Sequence, residues 1–174
     1  MAAGVAMYPG YDGDPADPAT VRELRLEIEE FHSAYCWTLD SGALDRWPEY
    51  FVEDAVYRIT ARENVEAGLP VGLVYADSKA MIRDRAFALQ HTQMYAPRYL
   101  QHFVSNVRVI APGEKIRAQA NYLLLQTLVD GPTTIHQAGR YYDTFVRRDG
   151  RLLLQERQCV YDTVLIANDL VMPV

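Results

Sequence analysis

Cysteine is nearly absent from this chain: Cys36 and Cys159 are the only two in 174 residues. They lie far apart and form no CxxC pair, which excludes a disulfide scaffold and predicts two buried, reduced thiols in a cytoplasmic protein. Cationic excess is also missing, with 17 Lys and Arg against 23 Asp and Glu and a net charge of −6. Phosphate contacts need clustered cations, so a nucleic-acid partner is not expected. No apolar run approaches the ~20 residues of a membrane-spanning helix. The first residues carry no basic stretch before an apolar one, so no signal peptide is expected either.

Several catalytic signatures are lacking as well. There is no GxSxG elbow, no GxGxxG turn and no phosphate-binding loop. None of the four histidines, His32, His91, His102 and His136, forms HxxxH, and neither cysteine has the CxH or CxxH spacing of a Rieske cluster. Glu29-Glu30-Phe31-His32 is a single ExxH on a helix, whereas a di-iron bundle needs two with further carboxylates. Its ordinary reading is a helix-surface histidine beside acids.

What is present is an ordinary globular composition, 49% hydrophobic and 23% charged, at a length suited to one domain. Residues 1–18 are rich in Gly, Pro and Asp and predict a flexible arm, ordered only against a partner; residues 19–174 form the single folded domain. Thr20-Val21-Arg22-Glu23 has the pattern of a capping box. Leu24, Ile28, Phe31, Tyr35 and Leu39 then mark an amphipathic helix of about 20 residues. A short helix with Leu44, Trp47, Tyr50 and Phe51 follows, distorted by Pro48. Ala55–Thr60 predicts a strand, 61–72 a loop, and Asp77 or Ser78 the cap of a third helix running to about Gln90.

From Tyr99 the pattern turns to strands: 99–110, 115–129, 133–147 and 151–161, the last pair joined by the hairpin signal Asp149-Gly150. A final extended stretch is expected over 164–174. The sum is an α+β fold, three N-terminal helices packed on one face of a curved, mostly antiparallel sheet.

Such an arrangement encloses a pocket, and Asp54, Tyr57, His102 and Asp143 are the polar groups that could act there as general acid and base. A stand-alone dehydratase, isomerase or ligand-binding protein would use them. The strands also carry Arg98, Arg108, Arg117, Arg140 and Arg157 and many of the twelve tyrosines. These residue types are favoured in protein interfaces and predict a subunit contact, if the sheet face is not simply solvated. An adaptor of this fold with no enzymatic partner is a third, blander possibility.

The segments Ala34-Tyr35-Cys36-Trp37-Thr38-Leu39-Asp40 and Trp47-Pro48-Glu49-Tyr50-Phe51-Val52-Glu53-Asp54-Ala55-Val56-Tyr57 resemble the β (small) subunits of aromatic-ring-hydroxylating dioxygenases. So do Glu63-Asn64, Gly68-Leu69-Pro70-Val71-Gly72, the run from Tyr75 to Arg85, Arg98–His102 and Ser105–Val109. The resemblance spans about residue 22 to the C-terminus. The Trp47-Pro48 pair and Asp77-Ser78 bring it nearest to small subunits serving oxygenases of aromatic carboxylates, such as terephthalate dioxygenase and salicylate 5-hydroxylase. The longer Pro/Asp-rich arm departs from the family pattern.

The resemblance implies a cone-like fold of the scytalone dehydratase and ketosteroid isomerase type and an α3β3 assembly with a large (alpha) subunit. It places the Rieske 2Fe–2S cluster and a mononuclear Fe(II) in that partner, with electrons delivered from NAD(P)H by a reductase and in some systems a ferredoxin. This chain then carries no catalytic, cofactor or metal residues. Expected contact residues are Arg98, His102, Arg108, Arg140, Arg157, Met172, Pro173 and Val174, on the sheet and at the C-terminus, with the third-helix region alongside.

Overall fold

The computed structural model describes residues 8–92, 95–163 and 172–174. Helix α1 (Arg22–Asp40) is followed by a 3-10 helix (Leu44–Tyr50), strand β1 (Phe51–Ala61), α2 (Arg62–Glu66), β2 (Val74–Ala76) and α3 (Lys79–His91). Four long strands complete the chain: β3 (Arg98–Ala111), β4 (Ile116–Leu128), β5 (Thr133–Arg148) and β6 (Arg151–Tyr161). The expected terminal stretch over 164–174 lies outside the described residues except for its last three.

One sheet holds all six strands in the order β2-β1-β6-β5-β4-β3. It is mixed, because β1 runs parallel to β6 while every other pair is antiparallel. Irregular register at Phe51/Val56, Ser105/Arg108, Leu124/Leu125 and Thr144/Phe145 bends the ladder, since an extra residue kinks its strand and adds twist. Helix α1 lies along β3 and α3 against β1 and the 3-10 helix.

Local chemistry explains most boundaries. Ser78 caps α3, its hydroxyl accepting from the Met81 amide. Asp149 and Gly150 both take positive φ, 51° and 75°, the conformation a two-residue hairpin needs to match strand twist. The capping box at Thr20 does not form: α1 begins after Val21 without a side-chain cap, and the Thr20 hydroxyl donates to the Asp17 carbonyl instead. Strand β1 starts at Phe51 rather than Ala55, and the expected loop 61–72 contains the short helix α2.

Residues 8–18 depart most from expectation. Tyr11 is only 4% exposed, and Tyr8, Tyr11, Tyr142 and Val160 form a cluster of their own. Arg117 donates to the Gly10 carbonyl at 2.8 Å and the Ala16 amide to the Val109 carbonyl at 2.9 Å. The segment lies along the sheet face opposite α1, beside Val65 of α2. That cover explains why Tyr141–Val146 of β5 are buried without interruption, where a half-covered strand would alternate.

Candidate functional site

The centre of the domain is polar. In the β5–β6 ladder Asp143 stands directly across from Arg157, so one cross-strand pair puts opposite charges on the face that α1 covers. Arg157 Nε and Nη2 donate to Asp143 Oδ1 and Oδ2, each at 2.8 Å. The guanidinium lies between the rings of Tyr35 and Tyr141, 4.2 Å from each centroid. His32 of α1 completes the group, with Nδ1 3.1 Å from Arg157 Nη2. An arginine can only donate, so Nδ1 accepts and the His32 proton sits on Nε2, which faces Asp143 Oδ2 at 3.7 Å.

The electrostatics follow from this enclosure. Burial, reinforced by the Arg157 charge, holds His32 well below the usual imidazole range. Burial pushes the Asp143 carboxyl up while Arg157 pulls it back; two N–H donors aimed at two oxygens fix it as the carboxylate. Asp143 is 1% exposed and Arg157 not at all. A general acid or base must reach a substrate atom. This carboxylate has both oxygens committed to a guanidinium inside the fold.

Next to it the last residue of the chain is seated in the interior. Val174 is fully buried; its amide donates to the Tyr57 hydroxyl at 2.9 Å, and its carbonyl lies 3.3 Å from the Tyr35 hydroxyl and 3.2 Å from that of Tyr57. Trp47 Nε1 in turn donates to Tyr35 at 2.8 Å. Cys159 is buried against the same carbonyl, and burial raises its thiol far above the reactive range. Cys36 is also buried and free, its thiol pushed up to about 12 by burial.

The four residues considered as a catalytic pocket do not meet. Asp54 is exposed on β1, beside Lys115 and Glu156 in a shallow hollow. Tyr57 is in the aromatic core with Trp47 and Phe51. Asp143 is held by Arg157. His102 is on β3, where Asp40 at the end of α1 takes both its Nδ1 (2.6 Å) and its backbone amide (3.0 Å). Alternating side chains on β1 and distance across the sheet separate the four.

The expected contact residues also divide. Arg98, half-buried, donates to Gln126 Oε1 at 3.0 Å. Arg108 is half-buried on β3, and Arg140 lies 3.5 Å from Asp162. Met172 keeps partial exposure. Arg157, the His102 side chain, Pro173 and Val174 are internal, so they cannot present themselves to another chain. His32, read as a surface residue, is only 3% exposed.

Sequence reasoning missed a groove between α1 and β3, of about 790 Å³. Trp37 is 75% exposed at its rim and Tyr99 70%, with Phe103 beside them. The available signal was an aromatic on the polar side of α1, one position beyond the buried Tyr35-Cys36 pair. Among the described residues no three His, Cys, Asp or Glu side chains converge as a metal would require. The described residues therefore offer no donor set for an iron centre or a cluster.

The SnoaL-like domain family matches residues 20–158. The small subunit of anthranilate 1,2-dioxygenase from Burkholderia cepacia is 36% identical over 150 residues, 86% of this chain and 93% of that protein. The beta 1 subunit of the terminal oxygenase component of terephthalate 1,2-dioxygenase from a Comamonas species is 34% identical, covering 85% and 97%. A crystal structure assigned as the beta subunit of an aromatic-ring-hydroxylating dioxygenase from Novosphingobium aromaticivorans superposes with a TM-score of 0.81. Its identity is 36%, over 89% of this chain and 99% of that one. At the level of fold alone, a scytalone dehydratase-like structure from the same organism gives 0.66 at 20% identity, over 87% and 95%. Both the fold and these relatives agree that the chain belongs to the small (beta) subunits of aromatic-ring-hydroxylating dioxygenases, within the SnoaL-like domain family.

Proposed function

We propose that this chain is the non-catalytic, structural small subunit of a multicomponent Rieske non-haem iron oxygenase acting on an aromatic carboxylate. Its task is to support assembly of the large subunit. The observation that carries this reading is the filled interior. Where a cone-shaped enzyme needs an open, water-accessible acid or base, this fold places a closed Arg157–Asp143 pair and its own Val174. The two relatives named above serve anthranilate and terephthalate, both aromatic carboxylates, and that supports the substrate class.

The partner then supplies the Rieske cluster and the mononuclear iron that carry out oxygen insertion; no step of that chemistry uses a residue of this chain. We take the assembly to be an α3β3 hexamer in the cytoplasm, receiving electrons from a reductase with or without a ferredoxin. No described helix is long and apolar enough to cross a membrane.

The test is co-expression with the cognate large subunit, followed by native mass and iron determination. The expected product is a brown, iron-containing complex with the two subunits in equal ratio, active on an aromatic acid. The small subunit alone should contain no iron and turn over nothing. An iron-free homo-oligomer that ignores the large subunit would refute the reading.

A further inference from the structure

The face that α1 covers holds a second polar row beside the ion pair. The strand registers set His102 opposite Leu124 and Leu124 opposite Gln137, so the three stand side by side across β3, β4 and β5. The His102 side chain and the whole of Gln137 are shut off from solvent. One nitrogen of each, His102 Nε2 and Gln137 Nε2, has no hydrogen-bond partner among the described residues. An unpaired buried polar group is costly, and ordered water is what commonly satisfies one in a folded protein.

We infer that a single buried water bridges His102 Nε2 and Gln137 Nε2. The two nitrogens have opposite needs. Asp40 Oδ1 lies 2.6 Å from His102 Nδ1; a carboxylate accepts, so the ring proton sits on Nδ1 and Nε2 of the neutral ring is an acceptor. Gln137 turns its Oε1 to the Tyr122 hydroxyl, which donates to it at 2.7 Å. Burial holds that phenol well above its ordinary range, so it keeps the proton it donates. Gln137 Nε2 is then left with N–H donors to place.

The two nitrogens do not bond each other directly, and Leu124 stands between their strands. Backbones two strands apart are ~10 Å from one another. Two hydrogen bonds through one water span up to ~5.7 Å, which leaves the remainder to the reach of a histidine and a glutamine side chain. A water accepts from the amide and donates to the ring. An ion cannot do both, because an anion takes only donors around it and a cation only acceptors. The bridge joins Asp40, His102, Gln137 and Tyr122 into one line of hydrogen bonds, from the end of α1 to the middle of the sheet. It ties the edge strand β3 to β5 across β4, whichever subunits the chain assembles with.

The experiment is a crystal structure of the full chain at a resolution that shows ordered water, for the native protein and for Gln137→Leu. The native density should contain one water within ~3.2 Å of both nitrogens, and Gln137→Leu should lose it. Nitrogen-15 NMR of His102 at pH 8 should find the proton on Nδ1. Native density with no water touching both nitrogens would overturn the inference, as would a water that stays in place in Gln137→Leu. A ring protonated on Nε2 instead would overturn it as well, because His102 would then donate where it is required to accept. The native density and the tautomer decide the matter even where Gln137→Leu does not fold.

Discussion

Arg157 carries a permanent charge in a fully buried position, which water would make far cheaper to place at the surface. It survives there because Asp143 meets it across the ladder, two tyrosine rings cover its faces and His32 accepts a further bond. Removing one partner strands the other. Arg157→Met should therefore lower unfolding free energy by about 3–5 kcal/mol, while Arg157→Met combined with Asp143→Leu should recover most of that loss. Urea denaturation of the two variants checks this. Charge reversal at Arg157 would act on the fold itself, whatever the state of assembly. His32 gives a pH signature. The native state keeps it neutral, so as pH falls through about 6.5 only the unfolded chain takes up the proton. Stability is full above that pH and declines below it, by up to about 1.4 kcal/mol per pH unit. His32→Gln should reduce the decline, seen as a smaller shift in urea midpoint between pH 7 and pH 5.5.

Elements show how one segment completes another. The β5 run Tyr141–Val146 is buried on both faces in part because residues 8–16 cross the side away from α1. Tyr8 stacks on Tyr142 with centroids 5.3 Å apart, Tyr11 meets the same ring edge-on at 5.2 Å, and its hydroxyl lies 3.1 Å from Thr144 Oγ1. Tyr11→Ala should cost about 3 kcal/mol, comparable to a core truncation, and calorimetry should show a lower melting temperature; an unchanged one would mean the arm adds nothing to the fold. At the sheet's far edge β3 is paired on one side only, and Asp40 binding the His102 amide occupies one of its free edge groups.

At the scale of the molecule, the six-stranded sheet and its helices enclose no reachable acid or base among the four candidates, while several cations stay near the surface. Arg108 is half-buried on β3 opposite Gln119. Arg108→Glu should weaken assembly with the large subunit by about tenfold or more and leave the isolated chain folded, read by native mass and by circular dichroism. An intact hexamer mass in this variant would exclude Arg108 from the contact.

The alternation of apolar residues and the turn signals determined, without any coordinates, that three helices precede long strands and that Asp149-Gly150 makes a hairpin. These depend on neighbours in sequence, as does the cap at Ser78. The run of motifs from Ala34 to Val109 likewise carried the family. What the tertiary structure alone decided depends on residues far apart in the chain. Asp143 and Arg157 become partners through strand register, and His32 joins them only when α1 docks. Phe51 extends β1 because β6 runs parallel beside it. Tyr11 covers the core from a Gly-, Pro- and Asp-rich segment whose composition reads as unstructured, and Val174 enters it from a terminal stretch whose apolar pattern does not say where it packs. Local pattern records which side of an element is apolar. Which groups enclose the buried ion pair, and which end is folded back inside, is settled by packing between segments more than a hundred residues apart.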